Sequence, residues 1–190
     1  MSAENVNAEE LAARCGMVQE GHFRLTSGLH SPVYWEKFRV LENPKYTVAL
    51  AGLIADNFRD RDVSVVAGPT TGGIILAFEV ARQLGVRAVY AEKSGQGRAF
   101  RRGMQLAAAD RVLVVDDVLT TGKSLREVLD ALVPTGAELA GIGVLVDRSE
   151  TGVDYGAPLF RCIRARPVTY APDACPLCRA GVPLQKPGSS

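Results

Sequence analysis

A chain of 190 residues carries 22 Lys and Arg against 21 Asp and Glu, a net charge of +1. That balance excludes a charge-driven grip on nucleic acid or an anionic membrane surface, so any anion binding must come from local clusters. Hydrophobic residues at 47% and charged residues at 23% describe a globular chain long enough to bury a substantial core. Met1 to Glu10 is polar and acidic without an apolar signal core, and no run of about 18 apolar residues occurs, so a cytoplasmic location is expected.

Leu11, Ala12 and Cys15 mark a weak helical pattern over residues 8–16, closed by Gly16. Phe23 and Leu25 then alternate with polar residues, Ser27-Gly28 turns the chain, and Val33 to Phe38 reads as extended, which predicts a hairpin. Tyr34 and Trp35 are adjacent on it and so point to opposite faces: one can stack on a ligand, or both can be the core of a small lobe. Pro44 opens a helix to about Arg59, with Tyr46, Leu50, Leu53, Ile54 and Phe58 along one face.

Val63 to Ala67 is a buried strand, followed by Gly68-Pro69-Thr70-Thr71-Gly72-Gly73 and a helix whose inner face is Ile74, Ala77, Phe78 and Ala81. Val86 to Ala91 is the next strand. Glu92 to Gly103 follows, a polar segment with three glycines and four cations (Lys93, Arg98, Arg101, Arg102) against one acid. Such a segment buries little and is expected to be mobile, as a solvated hairpin or as a lid that excludes water. Val112 to Val115 is a strand buried on both faces, ending at Asp116-Asp117. The turn Val118 to Ser124 leads into a helix whose inner face is Leu125, Val128, Leu129 and Leu132. Strand, glycine-containing loop and helix N-terminus together suit an anion, and the carboxylates suit sugar hydroxyls or a hydrated divalent cation.

Ala140 to Val146 is a further strand, ending in Asp147-Arg148-Ser149-Glu150 at the sheet edge where α/β proteins bind ligands. Arg148 offers a planar fork for a carboxylate; the alternative is an ordinary surface ion pair. Leu159 to Ala165 reads as an edge strand stopped by Arg166-Pro167, and the proline-rich tail from Pro172 is expected to pack loosely near the hairpin and fray at its end. Alternating strands and helices predict an α/β domain with an open, mainly parallel twisted sheet flanked by helices. One domain is expected over 1–190: a hood of about residues 1–42 plus the tail of about 167–190, around a core of about 43–166. Cys175-Pro-Leu-Cys178 has zinc-knuckle spacing, but no second pair lies nearby and His22 and His30 are far away in sequence. A structural or incidental role is favoured there over metal binding, and metal binding over redox chemistry.

Val112 to Ser124 resembles the phosphoribosyl-pyrophosphate (PRPP) signature of type I phosphoribosyltransferases: strand, paired acids, two residues, Thr120-Thr121-Gly122 and a short side chain by Ser124. A P-loop fails, because Asp117 stands where its first glycine belongs. Phe23-Arg24-Leu25-Thr26-Ser27-Gly28-Leu29-His30-Ser31-Pro32-Val33-Tyr34 resembles the hood of the orotate phosphoribosyltransferases. The resemblance implies the type I fold and transfer of phosphoribosyl from PRPP to orotate, giving orotidine 5′-monophosphate and pyrophosphate on the way to UMP. It implies that Asp116 and Asp117 hold the ribose hydroxyls and, through water, a PRPP-bound Mg2+, with no metal held directly by the protein. Backbone from Val118, Leu119, Thr120, Thr121, Gly122, Lys123 and Ser124 would cradle the 5′-phosphate. Thr71 and Gly72 would meet pyrophosphate through their backbone, with Lys93 and one of Arg98, Arg101 and Arg102. Lys93, Asp116 and Asp117 would be catalytic, and Tyr34, Trp35, Thr120 and Arg148 would address orotate. A homodimer sharing the lid is implied. The chain departs from the family where Thr26, Thr71, Gly72 and Glu92 replace lysine, tyrosine, lysine and arginine, and the loop histidine has no counterpart. The alternatives are another nucleobase as acceptor, or a PRPP-sensing regulator on the same fold.

Overall fold

The computed structural model describes residues 7–150, 152, 154–166 and 168–187. The acidic extreme N-terminus, Pro167 as strand breaker and the fraying end at 188–190 lie outside the described residues. Helix α1 (Ala8–Arg14) is capped by Asn7, whose side chain accepts from the Glu9 and Glu10 amides. Strands β1 (Val18–Arg24) and β2 (His30–Trp35) pair antiparallel as the hood hairpin. The extended stretch stops at Trp35 rather than Phe38. Glu36 turns the chain by accepting from the Phe38 amide at 3.2 Å, and Phe38 begins the short helix α2 (Phe38–Leu41).

Helix α3 (Pro44–Phe58) starts on Pro44 and buries Leu50, Ile54 and Phe58. Strand β3 (Val65–Pro69), helix α4 (Gly72–Leu84), strands β4 (Arg87–Ser94), β5 (Gly97–Phe100) and β6 (Arg111–Leu119), helix α5 (Lys123–Leu132), and strands β7 (Glu138–Asp147) and β8 (Leu159–Arg164) complete the core. The inner face of α4 is Leu76, Ala77, Val80 and Ala81; Phe78, expected inside, is 65% exposed. Leu76 and Val80 fill the interior one turn apart, which rotates Phe78 outward.

The sheet order is β5-β4-β3-β6-β7-β8, parallel throughout except for β5, which runs antiparallel beside β4. Val66, Leu113 and Val115 face α3 and α4, while Val65, Ala67, Val112 and Val114 face α5. Each central strand is thus apolar on both faces, as a parallel sheet covered by helices requires. The chain leaves β3 towards β4 and returns to the other side of β3 as β6. Adjacent parallel strands therefore send their following loops in opposite directions, and a crevice opens between them at their carboxyl ends.

The tail is not loose. The amide of Arg24 donates to Gln185 O and that of Gln185 to His22 O, both at 2.8 Å, while His30 and Tyr170 exchange backbone bonds at 2.9 and 2.8 Å. A last short helix, α6 (Pro176–Arg179), packs beside the hood through Cys175, which is fully buried.

Candidate active site

The acidic pair does not end its strand: β6 continues through Asp116 and Asp117 to Leu119. Both are buried at 6% and 3% exposure. Asp116 Oδ1 accepts from the Asp117 amide at 2.8 Å, and Asp117 Oδ1 from the Val118 amide at 2.7 Å. Burial, reinforced by the charge of Asp117, pushes Asp116 up to about 7. Asp117 is held differently: Lys37 Nζ, from the hood, lies 2.8 Å from its Oδ2.

Beyond the acids, Thr120 and Thr121 are exposed, Gly122 adopts φ +74, and α5 begins at Lys123. The backbone at Gly122 favours glycine, and a β-carbon there would lie 2.3 Å from Tyr155 Oη, so a larger residue would have to displace the Tyr155 hydroxyl. Asp116, Val118 and the run Leu119–Leu125 enclose a cavity of about 90 Å³. Tyr155 Oη is buried at the edge of this turn without a hydrogen-bond partner.

The turn after β3 contains a cis Thr70–Thr71 peptide and reaches the same acids from the other side. Gly72 is packed so closely that a β-carbon there would stand 1.9 Å from Asp117 Oδ2. No side chain fits at 72 while Asp117 stays in place.

The cationic segment forms a hairpin, in which Lys93 pairs with Arg98 and Ser94 with Gly97. Gly95 takes φ +59, a positive value suited to a two-residue hairpin turn. Of the three arginines, Arg98 turns inward. It donates to Thr70 Oγ1 at 3.0 Å and Ser124 Oγ at 3.2 Å, and pairs with Glu127 at 3.3 Å. It thereby ties the two turns together. Arg101 donates to Ser94 Oγ at 2.6 Å and Arg102 pairs with Glu92, both on the exposed side. Lys93 is exposed.

Arg148 follows β7, with its amide donating to Leu119 O at 2.7 Å beside the acidic turn. Its neighbour Asp147 takes the available cations: Arg164 and Arg161 pair with it, and Ser149 donates to it from amide and hydroxyl at 2.9 and 2.6 Å. Burial raises Asp147, but the Ser149 and Arg164 bonds outweigh it and hold the carboxyl below its ordinary range. Arg148 is left with no ion pair among the described residues, and its Nε is buried without a hydrogen-bond partner. Burial also lowers its pKa, a sign of a desolvated cation without a counter-charge. It lines a cleft of about 420 Å³ with Leu25, Leu29, Thr120, Thr121 and Thr169. Trp35 meets Arg148 in an adjoining cavity, and Tyr34, its ring tilted against Phe23 at 5.6 Å between centroids, also lies within electrostatic reach of Arg148.

The phosphoribosyl transferase domain model matches residues 39–173. Orotate phosphoribosyltransferase of Pelotomaculum thermopropionicum is 47% identical over 176 residues, covering 93% of both chains. That of Caldanaerobacter subterraneus is 42% identical over 180 residues, covering 95% of both. The chain belongs to the orotate phosphoribosyltransferase family. A solved structure of orotate phosphoribosyltransferase from Aeropyrum pernix superposes with a TM-score of 0.71 at 27% identity, covering 84% of this chain and 93% of that one. The parallel sheet and its flanking helices are those of the type I phosphoribosyltransferases.

Within this family member, the structure brings together Asp116, Asp117, the turn Val118–Ser124, Thr71, Gly72 and Arg98, with Arg148 and Thr120 on the adjoining cleft. Lys93, Arg101 and Arg102 stand outside that cluster, and Tyr34 packs against Phe23 in the hood within electrostatic reach of Arg148. Lys37 and Tyr155 are the residues that the sequence reading missed. Lys37 directly follows the aromatic pair and Glu36, the one signal that could have singled it out. Tyr155 lies in an irregular segment with no local pattern.

Proposed function

We infer that this chain transfers the phosphoribosyl group of PRPP to orotate, releasing pyrophosphate and forming orotidine 5′-monophosphate. One observation carries the reading: the phosphate-sized cavity of the acidic turn adjoins a cleft lined by a half-buried Arg148 whose Nε is buried without a hydrogen-bond partner and which has no ion pair among the described residues. A 5′-phosphate on the turn puts the ribose over Asp116 and Asp117. The base then enters the cleft with its carboxylate towards the Arg148 fork.

The turn's amides and the Thr120, Thr121 and Ser124 hydroxyls donate to the 5′-phosphate, and the unpartnered Tyr155 hydroxyl is a further donor. Asp116 and Asp117 accept from the ribose hydroxyls. Lys37 orients Asp117 through their 2.8 Å ion pair. Orotate is nucleophilic as its anion and needs no strong protein base, so the chain orients the ring nitrogen against the anomeric carbon and excludes water. As that carbon gains oxocarbenium character, charge accumulates on the departing pyrophosphate. Arg98 and the backbone of Thr71 and Gly72 lie where that charge develops, and Lys93 reaches it from the hairpin, so that they stabilise the transition state more than the ground state.

Asp116 Oδ1 and Asp117 Oδ1 each accept a backbone amide, and Asp117 Oδ2 sits beside Lys37 in an ion pair without a hydrogen-bond donor of proper geometry. This fits a Mg2+ ion held by PRPP and reached through water, rather than one bound directly. When bound, it neutralises negative charge on the leaving pyrophosphate. The reading extends to a cytoplasmic homodimer; the exposed apolar side chains Val48, Ile75 and Phe78, which line one groove, support a second copy there.

The test is turnover. Orotate, PRPP and Mg2+ should give orotidine monophosphate and pyrophosphate in equal amounts, with adenine, hypoxanthine and uracil much poorer acceptors. A purine preferred over orotate would move the chain to another base. PRPP binding without turnover on any base would make it a sensor.

A further inference from the structure

We propose that His22, His30, Cys175 and Cys178 bind one zinc ion that clasps the C-terminal tail to the hood. One nitrogen of each histidine and the sulfur of each cysteine all lie within 4.8 Å of one another. His22 Nε2 is 3.0 Å from His30 Nδ1, 3.5 Å from Cys175 Sγ and 3.7 Å from Cys178 Sγ, and Cys178 Sγ is 3.3 Å from His30 Nδ1. Zinc at ordinary bond lengths of roughly 2.0–2.1 Å to nitrogen and 2.3 Å to sulfur has tetrahedral edges of about 3.3–3.8 Å. These four separations, 3.0–3.7 Å, are close to that size, and the other two stay within 4.8 Å.

Protons alone do not satisfy this cluster. His22 Nδ1 lies 2.8 Å from the carbonyl of Val182, which can only accept, so Nδ1 carries the hydrogen and Nε2 presents its one lone pair. Three groups crowd that lone pair: His30 Nδ1 and both sulfurs. At most one can donate to it effectively. A cation at the centre resolves the conflict, because each group then presents a lone pair. The Val182 carbonyl takes the role of the outer partner that fixes a ligating imidazole. Both thiols lose a proton on binding and both imidazoles stay neutral.

Four protein ligands leave no open coordination position, and His22, His30 and Cys175 are buried at 1%, 5% and 0% exposure. The centre is therefore structural. Its ligands join segments 153 residues apart in sequence, the situation in which a cross-link restrains the unfolded chain most. The turn between the two histidines supplies Leu25, Ser27 and Leu29 to the cleft beside Arg148, and Thr169 reaches it from the residue before Tyr170, which pairs with His30. The ion thus holds two walls of that cleft. Only this last consequence rests on the orotate reading.

Metal content of the full chain, purified from zinc-supplemented cells under reducing conditions and dialysed, tests the site without reference to activity. About one zinc per chain is expected. Cys178→Ser, at an exposed position where folding is little disturbed, should lose most of it. Cobalt added to the stripped chain should give the intense visible bands of a tetrahedral ion with sulfur-to-cobalt charge transfer. Stripping should lower Tm reversibly and raise KM for orotate more than for PRPP. A folded, reduced chain that retains no added zinc overturns the proposal, as does full zinc content in Cys178→Ser or a cobalt spectrum without sulfur charge transfer. Zinc without turnover would leave this site standing and remove the enzymatic reading instead.

Discussion

The turn after β3 and the turn after β6 share one plan, a buried strand, a short glycine-containing loop and a helix, and they meet at the same pair of acids. They use glycine for opposite ends. Gly72 removes a side chain so that the Asp117 carboxylate can sit against the backbone, and the space is filled. Gly122 takes a left-handed conformation so that its turn stays open around a cavity of about 90 Å³. A glycine in a βα turn is therefore not by itself a ligand contact; what matters is whether the atom at van der Waals distance of that residue belongs to the protein or to a ligand. The filled turn also accounts for the missing side-chain cation at Gly72, since Lys37 brings a positive charge to Asp117 from the hood.

The largest effect is expected outside both turns, at the hairpin that would cover them. Lys93→Ala should lower kcat by roughly 10²–10³-fold, the scale of a lost transition-state donor, with PRPP affinity changed little. Steady-state and single-turnover kinetics separate the two, and an unchanged kcat removes Lys93 from that role. Arg148→Ala should raise KM for orotate about 10–100-fold, from the roughly 1.5–3 kcal/mol of a hydrogen bond to a charged group. KM for PRPP should stay near its starting value, because Arg148 belongs to the base cleft and not to the phosphate turn. Equal losses for both substrates would dissolve the division between cleft and turn.

Lys37→Met probes the filled turn. It leaves Asp117 buried without its cation, and should weaken PRPP binding about tenfold and lower stability by about 1–3 kcal/mol. Both changes are measurable by calorimetric titration and denaturant melts. The last effect is a slope. Asp116 is raised from 3.8 to about 7 in the folded chain, so the folded state binds that proton more tightly than the unfolded one. Its contribution to stability is full below pH 3.8 and is lost as pH rises through about 7. Asp116→Asn should flatten the stability–pH curve across that window, and an unchanged curve would show that Asp116 ionises normally.

Much of the core was legible because its signals are local. Four consecutive apolar residues from Val112 to Val115 can only be a doubly covered strand in this context, and Leu125, Val128 and Leu132 repeat at helical spacing. The inner face of α4 was misjudged because Ile74, Ile75, Leu76 and Phe78 are apolar almost all the way round, so periodicity gives no phase. Of the two readings of the cationic segment, the hairpin is the one seen, joined to the sheet's edge; its charges lie on two-sided strands there, where alternation of apolar and polar residues is lost. At the site, the acids and the open turn were readable from spacing. Lys37, Tyr155 and the pairing of His22 and His30 with Cys175 and Cys178 were not, since each depends on segments that only the folded chain brings together.

The most direct measurement is calorimetric titration of Mg2+–PRPP into the native chain and into Gly122→Ala, whose β-carbon would clash with Tyr155 Oη at 2.3 Å in a backbone held at φ +74. If the turn after Asp116 and Asp117 grips the 5′-phosphate, the variant should stay folded and bind PRPP at least about tenfold more weakly. Undiminished binding by a folded Gly122→Ala would place the phosphate elsewhere and contradict the site.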